Sequence, residues 1–208
     1  MNNIYSLLVV GWVILNPARD FPGTDPIADV ERHLYQGHKY ADNDKITHVH
    51  ECTHGINGVL REKHNGPAFY CMSNRAFIFN EIPGTLDDVA KNIPEKLRGK
   101  VYDLYLIKAQ KWWNKQPSYI FDEFTAYING SLAREYYGIK GRGESVEQML
   151  ECMVYSYHAA KTNDSKIFWR DRARLALAIY YRSGINSDYF SKMKIYVDEA
   201  RKGQYDLY

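Results

Sequence analysis

A chain of 208 residues, 45% hydrophobic and 25% charged, can bury a substantial core and is not composed like a disordered protein. Its 27 basic and 25 acidic residues nearly cancel, leaving a formal charge of +2, which argues against nucleic acid as the main partner. Three cysteines, Cys52, Cys71 and Cys152, are too few and too scattered for a disulfide scaffold. They read as reduced thiols, with Cys52 facing the core. The 18 tyrosines suit a polar, hydrogen-bonded core.

In chain order, Ile4 to Leu15 is apolar enough for the core of a signal peptide, yet no Lys or Arg precedes it. It is too short to span a bilayer as a helix, and its β-branched content predicts a buried strand or short helix. No stable membrane insertion is expected, and a cytoplasmic protein is favoured over a secreted one. A loop rich in Pro, Gly and Asp follows from Asn16 to Pro26, then a short helix from Ile27 to Gln36. Asp44 to His64 reads as a long helix, capped by Asp42 or Asp44 and ended by Asn65-Gly66-Pro67. Ala68 to Met72 and Ala76 to Ile82 read as a hairpin around Ser73-Asn74-Arg75. The remainder is helical: Leu86–Asn92, Pro94–Trp113, Tyr119–Tyr137, Ser145–Lys161, Ser165–Ser183 and Ser187–Lys202. The expected fold is mainly α with a small β element (α+β). It forms one domain over 1–208, with the chemistry in 1–143 and helices of 144–208 packed on it.

His50-Glu51-Cys52-Thr53-His54 is H-E-x-x-H. Residues four apart on a helix lie one above the other, so both imidazoles can reach one metal ion. Glu51 is then placed to take a proton from water at an open coordination position. Val49, Cys52, Ile56, Val59 and Leu60 recur on the opposite side as a packing face. His48, two residues before His50, points away from such a site.

On this motif the chain resembles the zincin metallopeptidases, and the resemblance covers the motif helix and, more loosely, one downstream helix. It implies a zinc ion and a third protein ligand. The metzincin pattern needs His six residues beyond His54, where Leu60 stands, and Gly where Asn57 stands, which excludes that type. The gluzincin pattern takes a Glu from a later helix, and Phe121-Asp122-Glu123-Phe124-Thr125-Ala126-Tyr127 fits it. Glu123 falls in the first turn of that helix among apolar residues, where an unpaired carboxylate is costly and a cation would compensate it. Ala126 and Gly130 would let the two helices approach closely. Asp122 becomes a partner for His50 or His54, or alternatively a helix cap. The aspzincin pattern makes Asp87 the runner-up, from Gly84-Thr85-Leu86-Asp87 and the Thr53 before the second His, although Ala90-Lys91 replaces the expected Tyr-Gly.

The resemblance implies Zn2+ (one ion) held by His50, His54 and Glu123, with Glu51 as catalytic base, in a peptidase acting on a peptide or protein substrate. Tyr127, one turn beyond Glu123, is a second catalytic candidate through its hydroxyl. His158 is a further electrophile candidate without local support. The hairpin can offer an edge strand to an extended substrate. Two alternatives stay open: a non-catalytic zinc-stabilised module, whose fourth zinc position a side chain would close, and a metal-free helical interaction protein.

Overall fold

The computed structural model describes residues 11–15, 25–141 and 143–202. The expected loop of residues 16–26 and the first half of the apolar N-terminal segment lie almost wholly outside them. Within the described part of that segment, Gly11–Ile14 form strand β1, which lies at the edge of the sheet formed by the described residues, with Trp12 41% and Ile14 63% exposed rather than buried. Helix α1 (Pro26–His33) starts on Asp25, whose carboxylate accepts the backbone N–H groups of Ile27 and Ala28. Helix α2 (Lys45–His64) carries the motif; Asp44 caps its start, and Asn65, at φ 52°, turns left-handed to end it.

The hairpin forms as β2 (Ala68–Tyr70) and β3 (Arg75–Ile78), around a turn in which Met72, Ser73 and Asn74 all have positive φ. The antiparallel sheet has the order β1-β3-β2, with Trp12 and Phe69 both opposite Phe77. Alternation splits the sheet between two cores. Phe69 and Phe77 join Phe79, Phe121 and Phe168 on one side, while Ala68, Tyr70, Ala76 and Ile78 pack against Val49, Cys52, Ile56 and Leu60 on the other. Of the expected packing face of α2, only Val59 is exposed.

Helix α3 (Leu86–Asn92) begins with a capping box between Thr85 and Asp88. The single helix expected over Pro94–Trp113 is instead a 3-10 turn (Glu95–Leu97), a π-helical stretch (Asp103–Lys108) and the short α4 (Gln110–Trp113). The break has a cause in a later helix. Glu151 accepts the backbone N–H groups of Lys100 and Val101, and Gly99 donates to Tyr155. A Cβ at Gly99 would fall 2.1 Å from the Glu151 carboxyl carbon, so only glycine fits. Backbone donors that would have continued a helix are spent on the neighbour.

Helix α5 (Tyr119–Tyr136) lies across α2, followed by α6 (Gly143–Ala159) and α7 (Asn163–Ser183). The last expected helix is interrupted into α8 (Asp188–Ser191) and α9 (Lys194–Arg201) where Met193 turns into the core. Among the described residues no helix is long and apolar enough to cross a membrane.

Candidate metal centre

The site is made by α2 and α5, and their close approach depends on Gly130. A Cβ there would lie 3.2 Å from the Ile46 carbonyl oxygen and 3.6 Å from the His50 Cβ. With the helices this close, Glu123, one turn into α5, comes level with the two histidines of α2. His50 Nε2 and His54 Nε2 are 3.1 Å apart, and Glu123 Oε2 is 3.8 Å from the first and 3.6 Å from the second.

Three donors each about 2.0–2.2 Å from one ion stand roughly 3.3 Å apart, so the triangle matches a metal's demands. Glu123 is buried, and its Oε2 has no hydrogen-bond partner, whereas its Oε1 accepts from the Tyr119 hydroxyl at 2.7 Å. An orphaned buried carboxylate oxygen aimed between two imidazole nitrogens is what a cation would satisfy. His50, His54 and Glu123 can therefore hold a metal ion.

Around these three a polar scaffold fixes the geometry. Asp122 Oδ1 is 3.0 Å from His54 Nδ1 and accepts from Asn57 Nδ2 at 2.6 Å; its Oδ2 accepts from Arg61 at 3.1 Å. Asp122 is thus a partner of His54 and not a helix cap. Asn57 also accepts the Tyr70 backbone N–H, and Asn129 of α5 donates to both Thr53 and the Tyr70 carbonyl. Both backbone groups of Tyr70 on the outer side of β2 are thereby taken. At Tyr70, therefore, that edge of the hairpin is closed to an extended peptide.

Electrostatics separate the two histidines. Burial pushes His50 down to about 4, helped by the nearby charge of His54. Burial also opposes charge on His54, but Asp122 and Glu123 overcome it and hold its pKa well above the ordinary value. Asp122 is lowered: burial works against its charge, and His54 and Arg61 outweigh it. Glu51 is raised, first by burial and then by the charges of Glu123 and Asp122.

The centre lies in the wall of a cleft. A hollow of about 470 Å³ is lined by His50, Glu51, His54, Arg61, Tyr105, Trp113 and Tyr119, among others. A second, of about 260 Å³, is lined by Thr47, His50, Glu51, Tyr105, Tyr127, Glu144 and Gln148. The two share His50, Glu51 and Tyr105, so the cleft continues past the ligands on both sides. Tyr127 stacks edge-on against His50 with ring centroids 4.5 Å apart, and its hydroxyl meets that of Tyr105 at 2.8 Å.

Other candidates fall elsewhere. Asp87 pairs with Lys91 and is not in the metal-capable group, which removes the aspzincin-type ligand. His158 binds the Tyr196 hydroxyl at 2.8 Å and faces a different hollow, beside Lys161 and Trp169. His48 faces Glu31 and Cys52. Sequence reasoning missed Tyr105, Tyr119, Asn57 and Arg61. Asn57 and Arg61 continue the stripe of His50 and His54 at helical spacing, and Tyr119 precedes Glu123 by one turn, so these three had a signal. Tyr105 sits on a π-helical stretch and had none. Compared with family models, curated proteins and solved structures, the chain matches none.

Proposed function

We propose that the chain is a zinc-dependent hydrolase, a peptidase that cleaves peptide bonds with Glu51 as general base. The observation that carries this reading is the unpartnered Glu123 Oε2 facing His50 and His54 at the wall of a cleft that also contains Glu51. Two nitrogens and one carboxylate oxygen suit zinc, and three protein ligands are what a catalytic zinc keeps. No fourth His, Cys, Asp or Glu among the described residues joins the group, which favours an open position over a closed structural site.

A bound zinc would supply Lewis acidity, polarising the scissile carbonyl and making water a better nucleophile. The chain's own residues supply the rest. Glu51 takes the proton of the attacking water and returns it to the leaving amine; its raised pKa makes it a stronger base for the first of these transfers. Tyr127 and Tyr105 offer hydroxyls where negative charge develops on the carbonyl oxygen. Asp122 keeps Nδ1 of His54 engaged, leaving Nε2 for the ion. Tyr119 holds Oε1 of Glu123 and leaves Oε2 free. The two hollows meeting at His50 and Glu51 suit an extended substrate with residues on both sides of the cut bond.

The test is Glu51→Gln assayed on unfolded protein and mixed peptide substrates. Zinc content by elemental analysis stays at the wild-type level while hydrolysis drops by roughly 10²–10⁴-fold, the usual worth of a general base. Hydrolysis equal to wild type in that variant sinks the peptidase reading.

A further inference from the structure

Helix α5 closes on itself at its C-terminal end. The Ile139 N–H donates to the Arg134 carbonyl at 3.0 Å and the Gly138 N–H to the Glu135 carbonyl at 3.1 Å, with Gly138 at φ 61°. Two carbonyls that would otherwise point outward are thereby occupied, and the chain is turned back toward the end of α7. Between the two helix ends lies a hollow of about 380 Å³, lined by Arg134, Glu135, Lys140, Arg182 and Ser183, among others. It shares no lining residue with either hollow of the cleft at His50.

Arg134 sets this hollow apart. The residue is only 9% exposed, and among the described residues its guanidinium has no hydrogen bond, ion pair or aromatic partner. Its Nε is sealed from solvent without an acceptor. The two terminal nitrogens, equally unbonded, are not sealed and so face the hollow that Arg134 lines. The other buried arginine, Arg172, is compensated by Asp171 and lies over the Trp12 ring. Glu135 does not serve Arg134 in the same way, because Arg182 takes both of its oxygens, at 3.2 and 2.9 Å. Helix C-termini attract cations, which accounts for the exposed Lys140 and Arg182. It does not account for a guanidinium taken out of water with nothing opposite it, an arrangement that is costly until an anion arrives.

The lining sets three cations, Arg134, Lys140 and Arg182, against one carboxylate, a formal surplus of two positive charges. A phosphate monoester carries about −1.5 to −2 near neutral pH and three acceptor oxygens, which matches the surplus and the unused donors together. A lone carboxylate meets only half of that charge. The planar guanidinium fork engages phosphate oxygens two at a time. The volume falls near the small end of ligand pockets, which run from roughly 300 to 1,000 Å³. We propose that this hollow binds the phosphate group of a small phosphomonoester, with Arg134 as its central contact and Lys140 as a second cation at the rim. Arg182 keeps the Glu135 carboxylate engaged and away from the bound group.

Full-length protein is titrated calorimetrically with inorganic phosphate, chloride holding the ionic strength constant. Binding saturates at one site per chain and is unchanged in His50→Ala, which separates it from the cleft. It weakens by roughly 30-fold or more in Arg134→Met, the usual cost of removing one member of a buried charge pair. In Lys140→Gln, where an exposed charge is lost, it weakens by about two- to fivefold. Glycerol phosphate displaces the inorganic ion; failure to do so overturns the assignment to a monoester. No saturable binding in folded wild-type protein, or equal affinity in Arg134→Met, overturns the site itself. Circular dichroism verifies the fold of each variant. If Arg134→Met does not fold, Lys140→Gln decides, and an unchanged affinity there overturns the proposal.

Discussion

Asp122 and His54 meet across the two central helices, Oδ1 to Nδ1 at 3.0 Å, on the side of the imidazole opposite the one that faces Glu123. The carboxylate is itself held by Asn57 and Arg61, so the orientation of the ring is set before any ion arrives. Asp122→Asn should lower zinc affinity by roughly 10–100-fold, the usual cost of losing such a support. Competition with a chromophoric chelator measures it; an unchanged affinity would show that His54 needs no partner.

Tyr127→Phe removes a hydroxyl bonded to Tyr105 without disturbing the ring against His50. If that hydroxyl stabilises developing charge, kcat falls by about 10²-fold with KM little changed, as for loss of one oxyanion donor. A purely structural tyrosine would instead shift the melting temperature and leave kcat alone. Tyr105→Phe in parallel tells which of the two hydroxyls faces the substrate.

Gly130→Val forces a branched side chain against the Ile46 carbonyl and the His50 Cβ. Overpacking of this kind costs about 1–3 kcal/mol, and chemical denaturation should register it. Because the same contact sets the distance between His50 and Glu123, metal affinity should fall as well. A variant that is destabilised yet binds zinc normally would show that the ligands adjust independently of the helix spacing.

His158 supplies the pH prediction. Burial, aided by the Lys161 charge, pushes it from 6.5 down to about 4 in the folded protein. The unfolded chain therefore takes up the proton first as pH falls. The contribution of this residue is fully present above 6.5 and is lost as pH drops toward 4. Thermal melts between pH 7 and pH 4.5 should show a shallower acid slope in His158→Gln, whose amide can still meet Tyr196. Equal slopes would assign the acid sensitivity to other groups.

Much of this is legible in the sequence. That His50, His54 and Glu123 come together as a group that could hold a metal ion follows from helical spacing on α2 plus one costly carboxylate in the apolar stretch of α5, and both are local patterns. The two ends of α2 were marked by Asp44 and Asn65, residues that act on their own backbone. What stayed hidden was decided across the chain. Nothing near Gly99 announces that Glu151, two helices later, will take the backbone donors of Lys100 and Val101 and break the expected helix. The exposure of β1 likewise depends on its place at the sheet edge, which pairing with β3 alone decides.

The two amides that grip Tyr70 reach beyond the metal centre. Asn57 and Asn129 spend themselves on the one side of β2 where another strand would dock, and they come from the same helices that carry His50, His54 and Glu123. An open strand edge invites pairing with foreign chains, and here that invitation is withdrawn by the framework of the site. Loosening α2 from α5 would then do two things at once: scatter the ligands and bare a strand, Ala68–Tyr70, whose side chains are all buried in the intact fold. Variants that lose metal by parting these helices should for that reason also be the ones that aggregate.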